Sequence, residues 1–504
     1  MKKITLLGMC FFVFHFSDLS FANTAKEDRN SDSKDKSGTI FRFHLAAEPS
    51  SLDPNKQRSA TSSFILSNLY RNLFYYSNEK GLVPDLAESC KRDSQKRLTC
   101  KLKDLKWSDG TPITAQDFLQ TYHKILDVKN AAPRADLLFK IENAEEIYKG
   151  KLPIKSLGVE ILDQKTLRYT FRGFDSEFEY NLANNILAPT RSDLSAFSGP
   201  YQVKDWSKGK RILLTPNFEY KAGHSARPPV EVLFIEEDSV ALQLYEKNEL
   251  HYLRRLPTLF IPKFKTRKDF HFYPVIRLDY LGFGPKLDGE LEVRKALTYS
   301  MNYIELQKIF SSEGRPGCAG LPDSWFPEKA PCFDYDLKKV PQVKSRPLVF
   351  AFSALGGEDH KRATEWMQNQ WSRHAKIQVK LEARENKAFV LSLENNPPDI
   401  FRKGVAPERP TCLASLEIFS KGNPENFLRN NSEEYEKIVS DLARAQSDSD
   451  KKRLCLAGIN YLMDRHAFIP LGAIHFSALV KSQFKGWNLN QMNQLDLSGL
   501  HFSP

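Results

Sequence analysis

The sequence lacks the features that mark a membrane protein or a familiar enzyme. None of its apolar runs reaches 18 residues, which excludes a polytopic membrane protein. The His-Glu-x-x-His, Gly-x-Ser-x-Gly, P-loop and Cys-x-x-Cys patterns do not occur, and the 11 histidines stand singly without metal-ligand spacing. Carboxylate pairs leave no local pattern, so catalysis is disfavoured rather than excluded. We expect a protein that is not an enzyme and has neither a metal site nor a cofactor.

What is present is the composition of a folded, soluble protein. Of the 504 residues, 41% are hydrophobic and 27% are charged, with 24 Gly and 28 Pro, which disfavours a disordered, collagen-like or coiled-coil chain. This length predicts roughly three domains or two large lobes. The formal net charge is +11, but the basic residues occur in small groups such as Arg254-Arg255, without a nucleic-acid motif. We therefore predict a solvated basic surface and no nucleic-acid partner.

The N-terminus has the pattern of a secretory signal peptide. Lys2 and Lys3 precede an apolar run at 4–16, and small residues before residue 23 offer a cleavage site. An uncleaved anchor is less favoured, because this run of 13 residues is too short to span a bilayer. We predict a cleaved signal peptide at 1–22 and a charged, Ser-rich leader at 23–38.

Lipidation at Cys10 is a further alternative for this segment. It is disfavoured because the preceding Met9 is bulky where that processing site requires a small residue. Export places the remaining six cysteines in an oxidising compartment, where they allow 15 disulfide connectivities. One pair flanks a predicted hairpin turn, a second brackets a Pro-containing loop, and the third pair remains. The hypothesis is therefore Cys90–Cys100, Cys318–Cys332 and Cys412–Cys455.

Local patterns predict short strands that alternate with helices, and hence a mixed α/β architecture. Residues 39–45 alternate like a half-buried strand. Trp107 precedes an Asp-Gly turn, so we interpret it as a packing residue rather than a ligand contact. Thr114 and Asp117 form a capping signal for a helix, and apolar spacing predicts one long amphipathic helix over 289–310.

Several segments, taken in order, resemble the peptide-type (cluster C, family 5) periplasmic solute-binding proteins of ABC transporters. The similarity extends over about residues 40 to 500, and its strongest part is Lys-Trp-Ser-Asp-Gly-Thr-Pro-Ile-Thr-Ala-Gln-Asp-Phe at 106–118. The other matching segments are 47–54, 68–73, 82–89, 198–201, 216–220, 280–283 and 293–302.

The resemblance implies an α/β, two-lobed periplasmic-binding-protein fold (type II) with an extra domain and a hinge between lobes that close on the ligand. Domain I is expected to combine 39–75, 193–284 and 479–504, domain II to span 76–192, and domain III to span 285–478. The implied function is that of a monomeric periplasmic receptor that delivers a peptide or similar small solute to ABC permease membrane subunits. The alternative is a divergent member that binds a non-peptide solute, or a protein partner without transport.

The resemblance also implies two charged ligand contacts. Arg402 matches an arginine near the peptide carboxylate, which a guanidinium can bind through two parallel hydrogen bonds. The alternative for Arg402 is a strand-end arginine that is solvated or paired with a surface acid. Glu408 matches an aspartate that anchors the peptide's α-ammonium. Two alternatives for Glu408 stay open, namely a solvated surface glutamate and a local pair with Arg409.

The predicted ligand-binding set has four further members. Three of them stand where this sequence departs from the family pattern. Val405 replaces the tryptophan that usually follows the glycine, and Arg134 and Asn386 stand where peptide-contacting aromatics lie in related proteins. Ala60 completes the predicted set. Because one fold serves many ligands, these departures leave the ligand open while supporting the fold.

Overall fold

The computed structural model describes residues 40–57, 60–310, 315 and 317–503, without the side chains at 60, 61, 356–358 and 474. The predicted signal peptide at 1–22 and the leader at 23–38 lie outside the described residues. The described residues belong to one compact unit. The limits predicted for the three domains within it stay a prediction.

The strands are short and run through the whole described chain. They are β1 Phe41–Leu45, β2 Phe74–Ser77, β3 Gly81–Pro84, β4 Ala87–Ser94, β5 Arg97–Leu102, β6 Val159–Asp163, β7 Thr166–Thr170, β8 Tyr201–Ser207, β9 Arg211–Pro216, β10 Val230–Phe234, β11 Tyr252–Leu253, β12 Phe270–Val275, β13 Leu278–Phe283, β14 Leu348–Ser353, β15 Val379–Arg384, β16 Ile400–Val405, β17 Phe468–Pro470, β18 Ile474–Val480, β19 Phe484–Lys485, β20 Asn488–Leu489, β21 Leu495–Asp496 and β22 His501–Phe502.

Helices lie between these strands, as a mixed α/β architecture requires. They are α1 Ala60–Leu69, α2 Ala115–Leu126, α3 Ala144–Tyr148, α4 Phe178–Asn181, α5 Asp238–Glu246, α6 Ile261–Phe264, α7 Leu291–Tyr299, α8 Tyr303–Phe310, α9 Gly357–Gln370, α10 Asn386–Asn395, α11 Cys412–Glu417, α12 Glu433–Arg444 and α13 Asp448–Asp464. None of the helices in the described ranges has the length and apolar character needed to cross a membrane.

Three larger sheets organise the chain. A seven-stranded sheet has the order β12-β18-β11-β1-β10-β9-β8, a five-stranded sheet the order β15-β14-β16-β13-β17, and a four-stranded sheet the order β4-β5-β7-β6. The prediction for β1 is right about the strand but wrong about its exposure, since every residue of β1 except Arg42 is buried. The reason is topological, because β1 lies parallel between β10 and β11 in the middle of its sheet.

The five-stranded sheet carries the residues that matter for the site. Strands β13 and β16 are antiparallel and pair Leu281 with Arg402 and Asp279 with Gly404. Alternate residues of a strand point to the same face, so Asp279, Arg402 and Gly404 share one face of this sheet.

The four-stranded sheet packs on α2 and forms a separate hydrophobic core. Trp107 belongs to this core and is 0% exposed, which confirms that it is a packing residue. The capping prediction also holds, since the Asp117 carboxylate accepts hydrogen bonds from the backbone N–H of Thr114 at 2.8 Å and from its hydroxyl at 3.0 Å. Helix α2 begins at the next residue.

The single helix predicted over 289–310 is wrong, because the structure has two helices there, α7 and α8. The chain leaves the helical path between Ser300 and Asn302. The Asn302 side chain accepts a hydrogen bond from the backbone N–H of Glu305 at 3.3 Å and so begins α8 as a new helix. Apolar periodicity continues across this break and therefore conceals it.

All three predicted disulfides are confirmed. Two of the pairs, Cys90–Cys100 and Cys318–Cys332, close short loops. The third, Cys412–Cys455, joins α11 to α13 across a sequence separation of 43.

Candidate functional site

Glu408 lies in the loop between β16 and α11, where the five-stranded-sheet region meets the four-stranded-sheet region. One carboxylate oxygen, Oε1, forms an ion pair with Arg134 Nη1. The other, Oε2, accepts a hydrogen bond from Asn184 Nδ2 at 2.8 Å. The predicted candidates Glu408 and Arg134 are therefore brought together, although 274 residues separate them in sequence.

Arg134 is held in place by a second acid, Asp136, at the start of a 3₁₀ turn. Its Nε and Nη2 donate to the two oxygens of Asp136 at 2.9 and 2.8 Å. Burial acts to lower the pKa of Arg134, but Glu408 and Asp136 outweigh burial and hold that pKa above its ordinary value. The guanidinium is thus a permanent cation shared by two carboxylates.

The next residues of the same loop make a buried ionic contact. Arg409 is 5% exposed, and its Nε donates to Glu177 Oε2 at 3.3 Å. Its Nη1 donates to Asn181 Oδ1 at 3.2 Å, and its Nη2 contacts Glu417. The local Glu408–Arg409 pair is therefore not what the structure shows, because Arg409 has other carboxylate partners and Glu408 pairs with Arg134.

Thr411 completes this contact and also begins α11. Its hydroxyl donates to Glu177 Oε2 at 2.6 Å and accepts a hydrogen bond from the Ala414 N–H at 3.2 Å. Burial raises the pKa of Glu177, although Arg409 and Thr411 act to lower it. We call residues 408–411 the acid loop. Within this loop, the Glu408 side chain is 30% exposed to solvent and the Arg409 side chain is 6% exposed. Glu408 is therefore the accessible charge of the loop.

Arg402 lies on β16 and is 5% exposed. Its Nη2 donates to Asp279 Oδ2 at 2.7 Å, and its guanidinium carbon lies 4.6 Å from the centre of the Phe310 ring. Its Nε and Nη1 are buried and have no hydrogen-bond partner within the described part of the chain. Buried donors without partners are costly, so this guanidinium is only partly satisfied.

Arg277 has Arg402 and Arg255 as charged neighbours, and Arg254 has Arg255 and Arg277. We call Arg254, Arg255, Arg277 and Arg402 the arginine cluster. Burial lowers the pKa of Arg277; Asp279 opposes this shift, and Arg402 and Arg255 add to it. Burial also lowers the pKa of Arg254, with Arg255 and Arg277 among its charged neighbours. The cluster is therefore a set of mutually repelling cations.

Residues of the seven-stranded sheet contribute half of this cluster, since Arg254 and Arg255 directly follow β11. Arg255 Nε lies 3.8 Å from Asp238 Oδ2. The Arg254 guanidinium carbon lies 4.4 Å from the centre of the Phe64 ring, and its Nε is buried without a hydrogen-bond partner in the described ranges. The expectation that Arg254-Arg255 belongs to a solvated basic surface is thus wrong for Arg254, because the chain folds its guanidinium over an aromatic ring.

The hydrogen bonds and ion pairs described for Glu408 and Arg402 involve none of the remaining predicted candidates. Val405 is 5% exposed and belongs to the hydrophobic core beneath the five-stranded sheet. Asn386 is exposed at the start of α10, where its Oδ1 accepts a hydrogen bond from Ser353 Oγ at 3.0 Å. Ala60 begins α1, but its side chain lies outside the described residues. Ligand contact by these three residues stays a prediction.

The acid loop and the arginine cluster do not line the groove of about 470 Å³ between α2 and α3, which lies beside His123, Leu126, Ile147 and Tyr148. Among the described residues, no three His, Cys, Asp or Glu side chains are placed to hold a metal ion. The site is therefore defined by charged side chains between the sheets.

Comparison with known proteins places this arrangement in a family. The model for the middle part of the bacterial extracellular solute-binding proteins, family 5, matches residues 81–427. The chain belongs to this family. It is 23% identical over 484 residues to the periplasmic murein peptide-binding protein of Escherichia coli, and the alignment covers 89% of this chain and 90% of that protein. It is also 23% identical over 491 residues to the oligopeptide-binding protein of Bacillus subtilis, covering 88% of each.

Solved structures show that this family 5 protein has the two-lobed α/β fold. The periplasmic oligopeptide-binding protein of Borrelia burgdorferi matches with a TM-score of 0.81 at 20% identity, covering 92% of this chain and 100% of that one. The OppA protein of Listeria monocytogenes bound to peptide matches with a TM-score of 0.78 at 19% identity, covering 92% and 99% of the two chains.

Sequence reasoning missed Asn184 and Arg277. Asn184 lies 224 residues from Glu408 in sequence, so no local pattern could have indicated their contact. Arg277 immediately precedes β13, and an arginine beside a buried strand was the available signal. A Cβ at Gly404 would overlap the Arg277 guanidinium, so the glycine gives that side chain its room.

Proposed function

We propose that this protein is the extracytoplasmic receptor of an ABC importer, that it binds a peptide between its two lobes and delivers it to a membrane permease. Family membership supports a binding protein rather than an enzyme. Relatives named as peptide-binding proteins, one of them solved with peptide bound, support the class of ligand. The signal-peptide pattern at 1–22 supports export to the periplasm, and a monomer is the simplest state for such a receptor.

The observation that carries the proposal is the placement of the Glu408 carboxylate. It lies where the two regions meet, is partly exposed, and is held by Arg134 and Asn184 from the opposite side. Each carboxylate oxygen can accept two hydrogen bonds, so these partners leave acceptor capacity for a ligand. An ammonium enclosed between lobes requires such an anion, because burying an unpaired charge is costly.

Arg402 supplies the complementary positive group for the ligand's carboxylate. Six positions of β16 and the acid loop separate Arg402 from Glu408, so their Cα atoms lie at most about 20 Å apart. An extended peptide of about six residues or fewer fits this limit. The unpartnered Nε and Nη1 of Arg402 are the donors that a carboxylate would satisfy.

Calorimetric titration tests the role of Glu408. A peptide that binds the wild-type protein and its N-acetylated form are compared on wild type and on Glu408→Gln. We expect either acetylation or Glu408→Gln to weaken binding about 10- to 150-fold, the effect of one charge-assisted hydrogen bond. The control is Glu434→Gln on α12, whose side chain is 66% exposed and pairs with Arg465. If acetylation leaves wild-type affinity unchanged, Glu408 is not the amine partner.

The corresponding test of Arg402 uses peptides with free and amidated C-termini. We expect Arg402→Gln to weaken binding of the free acid but not of the amide, because only the acid carries the charge that Arg402 pairs with. Equal losses for both peptides would contradict this role.

A non-peptide solute is the second candidate ligand. It is favoured by one observation, namely that the Arg134 guanidinium pairs with the Glu408 carboxylate and neutralises its charge. One relative is named as a probable deoxycholate-binding periplasmic protein. The acetylation experiment separates the two candidates, since a ligand without an amine does not depend on the Glu408 charge.

A further inference from the structure

The arginine cluster contains more positive charge than its protein partners neutralise. Arginine keeps its proton throughout the physiological range, so the four guanidiniums carry four positive charges. Asp279 pairs with Arg402 at 2.7 Å and Asp238 lies 3.8 Å from Arg255. Within the described ranges, no ion pair forms for Arg254 or Arg277. Two positive charges therefore have no carboxylate partner among the described residues.

The neighbouring acid does not remove this surplus. Asp359 begins the stretch of α9 that faces the cluster, but its carboxylate pairs with Arg362 at 2.9 Å and accepts hydrogen bonds from Thr258. His360 follows it, and burial together with Arg402, Arg255 and Arg277 holds the pKa of His360 below its ordinary value. Burial, and after it the same positive charge, thus disfavour protonation of His360.

The cluster also has the geometry of a binding site. Arg402 and Gly404 share a face of the five-stranded sheet with Asp279, and Arg277 folds over the space that Gly404 leaves open. Arg254 and Arg255 reach the same place from the seven-stranded sheet. Three buried donors, Arg402 Nε and Nη1 and Arg254 Nε, have no partner in the part of the chain that is described. The Arg255 side chain is 42% exposed, which leaves a path for an anion.

We propose that the arginine cluster binds two negative charges of the ligand, so that this protein takes peptides with an acidic residue at the carboxyl end. This inference rests on the proposed function. The ligand's α-carboxylate, assigned to Arg402, supplies one charge and leaves one excess cation. An acidic side chain next to that carboxylate supplies the second charge, and it satisfies guanidinium donors that the protein itself leaves free.

The test is calorimetric titration with matched alanine-based tri-, tetra- and pentapeptides that end in Glu or in Gln. On the wild-type protein we expect the Glu-ended member of a pair to bind at least about ten times more tightly, the effect of one charge-assisted hydrogen bond. In Arg277→Gln and Arg255→Gln the preference falls to about two-fold. Arg255→Gln changes a partly exposed side chain, so it keeps the test valid if Arg277→Gln fails to fold.

The control is Arg453→Gln on α13, which removes the same charge from a side chain that is 65% exposed and pairs only with Asp450. This variant retains the wild-type preference. Equal affinity for the Glu- and Gln-ended peptides on wild type overturns the inference and leaves the peptide receptor standing. A preference that survives in both cluster variants also overturns it. If neither peptide of any length binds wild type, the proposed function fails and the inference falls with it.

A last arm separates a peptide site from a site for a free anion. Inorganic phosphate is titrated alone and in competition with the Glu-ended peptide. Phosphate that binds as tightly as the peptide shows a small-anion site and overturns the inference. Phosphate that competes only at concentrations far above the peptide's dissociation constant supports it.

Discussion

The acid loop and the arginine cluster both join separate sheets through charged side chains, but they balance charge differently. In the acid loop, each charge has a partner of opposite sign: Glu408 has Arg134, and Arg409 has Glu177 and Glu417. In the arginine cluster, four guanidiniums share two carboxylates, and three buried donors have no partner among the described residues. The acid loop is thus balanced in charge by the protein, and Glu408 keeps acceptor capacity for a ligand, whereas the arginine cluster is the place where we propose that the ligand supplies negative charge.

The largest expected effect comes from breaking the complete contact. Arg409→Met leaves the buried Glu177 carboxylate without its guanidinium, and removing one partner of a buried ion pair costs about 3–5 kcal/mol of unfolding free energy. Denaturant titration measures this loss. The matched variant Arg453→Met, on the exposed face of α13, is expected to change stability by less than about 0.5 kcal/mol. Equal stability of the two variants would mean that the acid-loop contact is not important for folding.

A smaller effect is expected where the acid loop meets the ligand. Arg134→Gln removes the cation that competes with a ligand ammonium for Glu408. We expect a free-amine peptide to bind about five times more tightly to this variant, the effect of about 1 kcal/mol, and its N-acetylated form to bind unchanged. Titration calorimetry with both peptides decides this. Weaker binding of both forms would instead make Arg134 a direct ligand contact.

The smallest effect concerns protonation beside the arginine cluster. Burial first, and then Arg402, Arg255 and Arg277, lower the pKa of His360 below its ordinary value of 6.5. We therefore expect its ring to stay neutral at pH 5.5 in the ligand-free protein, as read from ¹⁵N chemical shifts assigned with His360→Gln. A ring that is protonated at that pH would contradict the lowered pKa of His360.

The lowered pKa of His360 also makes the stability of the fold depend on pH, in a direction that follows from the shift. Below about pH 6.5 the unfolded chain takes up a proton on His360 that the folded protein does not, so acidification through this range destabilises the fold. His360→Gln is expected to reduce this dependence on pH. A variant with an unchanged pH profile would contradict the lowered pKa.

Much of the fold could be predicted from local chemistry. The Thr114–Asp117 cap and the Asp-Gly turn after Trp107 depend on residues a few positions apart, and the structure has both. Cys90 and Cys100 are joined because a hairpin brings them into register. The break between α7 and α8 was missed, since Asn302 overrides a hydrophobic period that continues through it.

The candidate site could be predicted only in part. Glu408 and Arg402 were found through resemblance to a family, and Arg134 was named without its partner. Val405 was chosen because it replaces an aromatic residue, but its side chain packs into the core because it lies on the face of β16 opposite to Arg402. A departure from a family pattern thus identified a position without showing where its side chain points.

By itself, the sequence determined the α/β class, the family, the three disulfides and two positions, Arg402 and Glu408, where charges are expected. The α/β class follows from local patterns and the disulfides from cysteine positions and redox chemistry, whereas the family and the two charged positions follow from resemblance to known proteins. Only the tertiary structure decided that Glu408 meets Arg134 and Asn184, and that Arg254, Arg255, Arg277 and Arg402 gather in one place. The physical reason is that electrostatic balance depends on distances between sheets, and residues more than a hundred positions apart acquire those distances only when the chain folds.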